Sequence, residues 1–293
     1  MISASASGKL FLFGEHAVVY GYPAIVLSLD KKITVNVERT LVDRDLIFVS
    51  KDTNDRLIKK TLEIFREVAT KASGGGSNLK IISKADFSDK LGLGSSSAVV
   101  VATIKALSKF YDLNLSNKEI FDLSYKAILS TQPGNSGADI AAAIYGGIIY
   151  YQKPGKINLM SGVSLPLIIA YSGEKAESGK QIEKVRRLYL SKTKETRQIF
   201  EDIALIVNEA EKSIKDKDFV YLGKLMMKNH KLLKQLNIST KKLDSLVDVA
   251  AAAGAYGAKL SGAGGGDCII ALAAENKRQQ VCQKINEVGG IIL

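Results

Sequence analysis

The sequence of 293 residues is poor in residue types that mark metal-binding and disulfide-linked proteins: it has two cysteines, two histidines, four prolines and no tryptophan. Cys268 and Cys282 form no CxxC pair and do not cluster with His16 or His230, so neither a zinc site nor a disulfide framework is predicted. No apolar run approaches the roughly 18 residues of a membrane span, and the N-terminus has no positive region before an apolar core. We therefore expect a cytoplasmic protein without a membrane partner.

The charge balance is basic, with 41 lysines and arginines against 30 acidic residues and a formal net charge of +11. The positive residues are spread along the chain without a block of like charge, which favours anionic partners in general. Nucleic-acid binders more often concentrate basic residues on one face beside aromatic side chains. Because tyrosine and phenylalanine are thinly scattered, no nucleic-acid partner is predicted.

Length and pattern together predict two domains, because 293 residues exceed the usual size of one compact domain. In the first half, the runs LFLF, AIVLSL, KITVNVE and DLIFVS are typical of strands, and residues 55–72 have helical spacing. Residues 116–129 are a second helix candidate, in which Ser116 and Glu119 have the spacing of a capping box. After residue 166, one strand is followed by about a hundred residues rich in Lys, Glu and Leu at helical spacing. We place the boundary near residue 160, with domains at 1–160 and 161–293.

The stretch GLGSSS, residues 92–97, stands directly before a small and apolar run of helical character. A helix start exposes unpaired backbone N–H groups and a partial positive charge, and glycines let an anion approach closely. The three serines could cap the helix, bond phosphate oxygens or ligate a magnesium ion. A plain strand-to-helix turn with a serine cap fits equally well. The stretch is neither a Walker A loop nor a GxGxxG motif.

Three further segments carry candidate residues, each with an ordinary alternative. SGAGGGD, residues 261–267, indicates a loop that approaches a ligand with its backbone, or a mobile hairpin tip. Asp139 in PGNSGAD is either a helix N-cap, the reading favoured by this residue alone, or a carboxylate at a phosphate-transfer site. Lys9 is by itself a strand terminus, and His16 in GEH a structural histidine.

In this order, the four segments resemble the GHMP kinase superfamily, named for galactokinase, homoserine kinase, mevalonate kinase and phosphomevalonate kinase. GKLFLFGEHAVVYG is similar to the mevalonate kinase version of the first motif, and residues 219–266 are similar to archaeal mevalonate kinases over their whole length. The resemblance covers most of the chain. It implies an α+β, two-domain GHMP kinase fold with an N-terminal domain like ribosomal protein S5 and a C-terminal, ferredoxin-like α/β domain.

The resemblance also implies roles for individual residues. Asp139 matches the catalytic aspartate that takes the proton of the attacking hydroxyl, and Lys9 matches the lysine paired with it. Glu15 and His16 match the substrate-side end of the first motif, and Ser96 matches a serine that helps to hold Mg²⁺. The nucleotide-binding residues implied in the same way are Gly92, Leu93, Gly94, Ser95, Ser96, Ser97, Gly262 and Gly264, with the third loop spanning Gly262 to Gly266.

The function implied is phosphorylation of the 5-hydroxyl of mevalonate by ATP, with Mg²⁺, as a step in isoprenoid biosynthesis; a homodimer is a family-level expectation. Two alternatives stay open: a phosphomevalonate kinase, and a nucleotide-binding regulator that has lost catalysis. The sequence departs from the family at Ile128, where mevalonate kinases usually carry a glutamate that is a second magnesium ligand, about eleven residues before the aspartate. PGNSGAD also replaces the usual GNPSGVD-like sequence.

Overall fold

The computed structural model describes residues 1–50, 55–73, 78–153 and 155–293. The chain forms two compact units, one composed of Met1–Lys9 and Leu27–Gly147 and the other of Leu10–Val26 and Ile148–Leu293. Both units contain strands and helices, in agreement with the predicted α+β class. The division into 1–160 and 161–293 stays a prediction; in the structure, residues 10–26 and 148–160 belong to the second unit.

In its described residues, the first unit combines a sheet with four α-helices. Strand β2 pairs antiparallel with β4 over Ile33–Arg39, β4 pairs parallel with β3, and β1 also pairs with β2. The elements are β1 (Ile2–Phe13), β2 (Ala24–Arg39), β3 (Leu46–Val49), α1 (Asp55–Ser73), β4 (Leu79–Ala85), α2 (Ser95–Phe110), α3 (Asn117–Leu129) and α4 (Ala138–Tyr145), where β1 and β2 continue into the second unit.

Two local features of this unit bear on the sequence predictions. The runs AIVLSL and KITVNVE are one continuous strand, β2, in which the intervening Asp30 and Lys31 are exposed. Charged residues interrupt the apolar pattern there without interrupting the strand. The capping box at the start of α3 is confirmed: Ser116 Oγ accepts from the Glu119 backbone N–H, and Glu119 accepts from the Ser116 backbone N–H.

The second unit contains a four-stranded antiparallel sheet of order β10-β7-β9-β8. It is mainly helical between β7 and β8, as the sequence predicts. Its elements are β5 (Ile148–Gln152), β6 (Lys156–Met160), β7 (Leu167–Tyr171), α5 (Ser178–Ser191), α6 (Thr193–Lys215), α7 (Phe219–Gln235), α8 (Lys241–Ala252), β8 (Gly257–Ser261), β9 (Cys268–Leu272), α9 (Glu275–Glu287) and β10 (Ile291–Ile292).

Helix α7 and strand β8 approach each other more closely than side chains would allow. A Cβ added at Gly257 would lie 2.0 Å from the Gly223 carbonyl oxygen, and one added at Gly223 would lie 2.3 Å from the Tyr256 carbonyl. Glycine at both positions therefore sets the distance between the helix and the strand that leads into residues 262–266. In the part of the chain that the structure describes, no helix is both long and apolar enough to cross a bilayer.

Candidate active site

The serine loop, residues Gly92–Ser97, connects a short 3-10 turn to the start of α2 in the first unit. Gly92 and Gly94 have φ of 69° and 78°, in the left-handed region that glycine adopts without strain. Gly94 is the N-cap of α2 and no side chain caps the helix, so the serine-cap alternative is not what the structure shows. The first N–H groups of α2 consequently point out of the helix end, as anion binding requires.

Lys9 packs directly on this loop. Its backbone N–H donates to the Leu93 carbonyl oxygen at 2.8 Å, and the residue is 6% exposed. A Cβ added at Gly94 would lie 2.9 Å from Lys9 Cγ and 3.0 Å from Cε. The absence of a side chain at Gly94 thus leaves the space that the lysine stem occupies, and the glycine determines where the ammonium group lies.

The structure brings Lys9 and Asp139 together. Lys9 Nζ lies 3.6 Å from Asp139 Oδ2, and both side chains are mostly buried, with 8% and 21% of their surfaces exposed. Asp139 is the second residue of α4 and not its cap, which is Gly137 with φ of 89°. The preceding turn is held by Asn135, whose side-chain oxygen accepts from the Gly137 N–H at 2.8 Å. The carboxylate therefore faces an ammonium group instead of capping its helix.

Ile128 and Ser96 are the two positions that bear on whether the site can bind Mg²⁺. Ile128 is fully buried in α3, so the position of the family's glutamate offers no oxygen ligand. Among the described residues, no group of three or more His, Cys, Asp or Glu side chains could hold a metal ion. Mg²⁺, however, usually keeps several waters and binds through one or two protein oxygens together with substrate phosphates. The half-exposed Ser96 hydroxyl fits that limited requirement.

Sequence reasoning did not single out Gln132. Its side-chain Nε2 donates to Ser96 Oγ at 3.1 Å, which places an amide group beside the serine assigned to magnesium. The residue lies in an exposed turn after α3, and nothing in the turn-forming pattern TQPGNSG distinguishes it from a solvent-facing glutamine. Only the contact with Ser96 indicates its relevance.

In the second unit, His16 lies against the glycine loop, residues Gly262–Gly266. Its ring Nε2 donates to the Ala263 carbonyl oxygen at 2.9 Å, since a carbonyl can only accept. Burial lowers the pKa of His16 to about 4, so the ring is neutral at pH 7 and its Nδ1 is an acceptor. His16 also has φ of 61°, an uncommon conformation for a residue with a side chain.

The glycine loop packs closely against neighbouring residues of the second unit, which a mobile hairpin tip would not do. Added Cβ atoms would lie 2.3 Å from the Ile238 carbonyl oxygen at Gly264, 2.4 Å from the side chain of Gln181 at Gly265, and 2.6 Å from the Glu174 carbonyl oxygen at Gly266. Gly262, in contrast, has no atom within 4 Å of its added Cβ. Close packing inside the second unit thus explains three of the glycines.

Glu15 is also buried, at 1% exposure, and its Oε1 pairs with the ammonium of Lys259, which is fully buried in β8. Sequence reasoning missed Lys259 because a lysine in AKLS reads as a solvent-facing strand residue. The structure therefore groups the predicted residues by unit: Lys9, Asp139 and residues 92–97 in the first, Glu15, His16 and residues 262–266 in the second. Their assigned roles stay predictions.

Comparison with known proteins gives a consistent family. The family model for the GHMP kinase N-terminal domain matches residues 56–147, and that for the GHMP kinase C-terminal domain matches residues 210–291. The mevalonate kinase of Pyrococcus abyssi is 36% identical, with 99% of this chain and 93% of that protein covered. The mevalonate kinase of Methanocaldococcus jannaschii is 35% identical, with 95% and 94% covered.

Solved structures agree. The crystal structure of Methanococcus jannaschii mevalonate kinase has a TM-score of 0.81 at 31% identity, covering 99% of this chain and 96% of that one. The structure of L. major mevalonate kinase in complex with R-mevalonate has a TM-score of 0.82 at 28% identity, covering 97% and 91%. Matches of both domains and of nearly the whole length, with the predicted motifs in order, show that the chain belongs to the GHMP kinase family.

Proposed function

We propose that the protein is a mevalonate kinase, which transfers the γ-phosphoryl group of ATP to the 5-hydroxyl of mevalonate and yields 5-phosphomevalonate and ADP. The observation that carries the proposal is the Lys9–Asp139 pair at 3.6 Å, placed on the serine loop. A module that only bound nucleotide would have no need of a carboxylate held beside an ammonium group. The mevalonate kinases that are 35–36% identical over nearly the full length support the acceptor.

The proposed reaction is an in-line displacement at the γ-phosphorus. The Asp139 carboxylate accepts the proton of the 5-hydroxyl as its oxygen forms the bond to phosphorus, and the bond from the γ-phosphorus to the β–γ bridging oxygen breaks to release ADP. Lys9 stabilises the negative charge on the attacking oxygen, because its stem packs against Gly94 and its side chain is mostly shielded from water. The N–H groups at the start of α2 bind the phosphates.

Mg²⁺, which Ser96 would help to hold with the phosphates, supplies charge neutralisation on the triphosphate when bound. Glu15 and His16 stay the predicted acceptor-side residues, and Gly262 and Gly264 the predicted nucleotide-side residues of the third loop. Because His16 is neutral at pH 7, it would contact the acceptor through hydrogen bonds and not through charge. The expected cytoplasmic location and the homodimer stay predictions too.

The test is ADP release with a panel of mevalonate, phosphomevalonate, homoserine and galactose at saturating MgATP. We expect mevalonate to give the highest kcat/KM, and omission of Mg²⁺ with added chelator to abolish turnover. Faster turnover of phosphomevalonate would replace the proposal by the second kinase. Nucleotide binding without ADP release on any of these acceptors would favour the non-catalytic regulator.

A substitution at Gly94 tests whether the loop positions Lys9. In Gly94→Ala, the new methyl group would overlap the lysine stem, so we expect kcat to fall by about 10²-fold through misplacement of the ammonium. Gly21→Ala is the matched control, since Gly21 also lies in the left-handed region, with φ of 90°, but has no atom within 4 Å of its added Cβ. Both variants should lose about 1–2 kcal/mol of stability from the left-handed backbone. Equal kcat values in the two variants would show that the loop does not position the lysine.

A further inference from the structure

Lys259 is a buried cation in the second unit to which the proposed reaction gives no role. Its ammonium donates to Glu15 Oε1 and, at 2.6 Å, to the Leu260 carbonyl oxygen, and lies 6.0 Å from the centre of the Phe13 ring. Lys259 and Glu15 are 0% and 1% exposed. Burying a lysine and a carboxylate costs several kcal/mol for each ion, so such a pair persists only where good geometry offsets the cost.

The pair lies where two distant segments meet. Lys259 is two residues from Ser261, whose hydroxyl donates to the Phe11 carbonyl oxygen at 2.8 Å, and Ser261 leads directly into the glycine loop. On the other side, Glu15 is followed by His16, which bonds Ala263 of that loop at 2.9 Å. Three contacts, at Ser261, Lys259 and Ala263, thus connect residues 11–16 to the strand and loop around residues 259–263. Lys259 is the charged contact among them.

The other side of β8 is also held by polar groups. The Leu260 N–H donates to His230 Nδ1 at 3.4 Å, and the opposite ring nitrogen of His230 bonds Asp244 at 3.1 Å. Burial lowers the pKa of Lys259, and the Glu15 carboxylate opposes this shift. Removal of Lys259 would leave Glu15 as a buried carboxylate without its counter-ion, which favours its movement toward water or its protonation. Either change would disturb His16, the next residue.

On the basis of the proposed function, we propose that Lys259 is a positioning residue for phosphoryl transfer, which holds Glu15 and thereby fixes His16 and the glycine loop in one arrangement. Lys259 acts through its neighbours and needs no contact with either substrate. The positive charge of the ammonium group is required for this role, because the group that it holds is a carboxylate. Nothing in the local sequence AKLS indicates this role, since the partner is 244 residues away.

The kinetic test is a double-mutant cycle. We expect Lys259→Met, which keeps the length of the side chain without its charge, to lower kcat by about tenfold or more through misplacement of His16 and the loop. Glu15→Gln removes the other end of the pair. If Lys259 acts through Glu15, the double variant loses no more activity than Glu15→Gln alone, because both changes remove one contact. Two results would overturn the proposal. One is a double variant whose loss of activity equals the product of the two single losses, and the other is a folded Lys259→Met protein with wild-type kcat and KM.

A stability measurement separates positioning from folding. Breaking one partner of a buried pair is more damaging than removing both, so the double variant should have a higher urea midpoint than Lys259→Met. Positioning predicts that Lys259→Met has a low kcat even at temperatures where it is fully folded, whereas a merely structural lysine predicts a wild-type kcat under those conditions. Lys259→Arg retains the charge and should restore part of kcat. Lys242→Met is the control, because Lys242 also donates to a backbone carbonyl, that of Val288, and should leave kcat unchanged.

A spectroscopic measurement needs no turnover at all. The chain has two histidines, so the proton resonances of His16 can be assigned with His230→Gln. In the wild type, the His16 signal should not titrate between pH 8 and 5.5, since its pKa is about 4. In Lys259→Met, we expect the pKa of His16 to rise by about one unit or more, so that its signal begins to shift near pH 5.5. The reason is that His16 becomes more exposed to water or faces a Glu15 carboxylate without its counter-ion. An unchanged pKa of His16 in Lys259→Met would contradict the proposed positioning role of Lys259. Absence of ADP release from the wild type would refute the proposed function and leave this result standing.

Discussion

Asp139→Asn is expected to lower kcat by about 10²- to 10⁴-fold, because an amide cannot accept the hydroxyl proton that the carboxylate takes in the proposed reaction. The amide has almost the same shape, and Asp139 is not the cap of α4, so the helix should form as before. Its pair with Lys9 at 3.6 Å is mostly buried, so the loss of the negative charge should also lower stability, by about 1–3 kcal/mol. The measurement is kcat for ADP release with mevalonate, together with a urea midpoint.

Asp122→Asn is the control for this substitution. Asp122 is an exposed carboxylate on α3 that pairs with Lys118 at 2.6 Å, so the same chemical change is made in the same unit away from Lys9. We expect its kcat to match the wild type. An Asp139→Asn enzyme with undiminished turnover would refute the assignment of Asp139 as the proton acceptor, whatever the acceptor alcohol proves to be.

Gly257→Ala is expected to reduce the free energy of unfolding by about 1–3 kcal/mol, since overpacking a well-packed contact forces the backbone to shift. The added methyl group would lie 2.0 Å from the Gly223 carbonyl oxygen, and both atoms belong to rigid elements, β8 and α7. Gly223→Ala should behave in the same way, although alanine is the better helix former by about 1 kcal/mol. Equilibrium urea unfolding with a constant slope gives the quantity directly.

Gly179→Ala provides the comparison. Gly179 lies in the first turn of α5, and no atom lies within 4 Å of its added Cβ, so alanine should be neutral or stabilising by up to about 1 kcal/mol. A Gly257→Ala protein that is as stable as Gly179→Ala would mean that α7 and β8 can separate without cost. Their close contact would then have no part in supporting the strand that carries Lys259.

Local sequence signals predicted those parts of the fold that depend on neighbours along the chain. Ser116 and Glu119 form the expected capping box because both partners lie within one helical turn. The helices after residue 166 follow from apolar spacing alone. At β2 the apolar pattern predicts two strands, because Asp30 and Lys31 interrupt it, whereas the structure has one continuous strand in which these charged residues are exposed. Exposure and strand termination are different properties.

The residues of the candidate site could be predicted only where they lie within a family motif. The family resemblance predicts Lys9 and Asp139, whereas Asp139 by itself predicts a helix cap, which in the structure is Gly137. Gln132 and Lys259 were not predictable, because their partners Ser96 and Glu15 are 36 and 244 residues away. Likewise, no local pattern showed that residues 10–26 join the second unit. Long-range pairing is a property of the folded chain and leaves no mark in a short window.

Because residues 10–26 belong to the second unit, the order of synthesis has a consequence for folding. This segment leaves the ribosome well before its partners Lys259, Ser261 and Ala263, which follow it by 244 to 250 residues along the chain. Until residues 259–263 have been made, Glu15 and His16 cannot form these contacts. Contacts of such high sequence separation form slowly and leave apolar surface uncovered in the meantime. The nascent chain thus exposes, during synthesis, an apolar segment that becomes deeply buried in the folded protein, and this exposure favours aggregation.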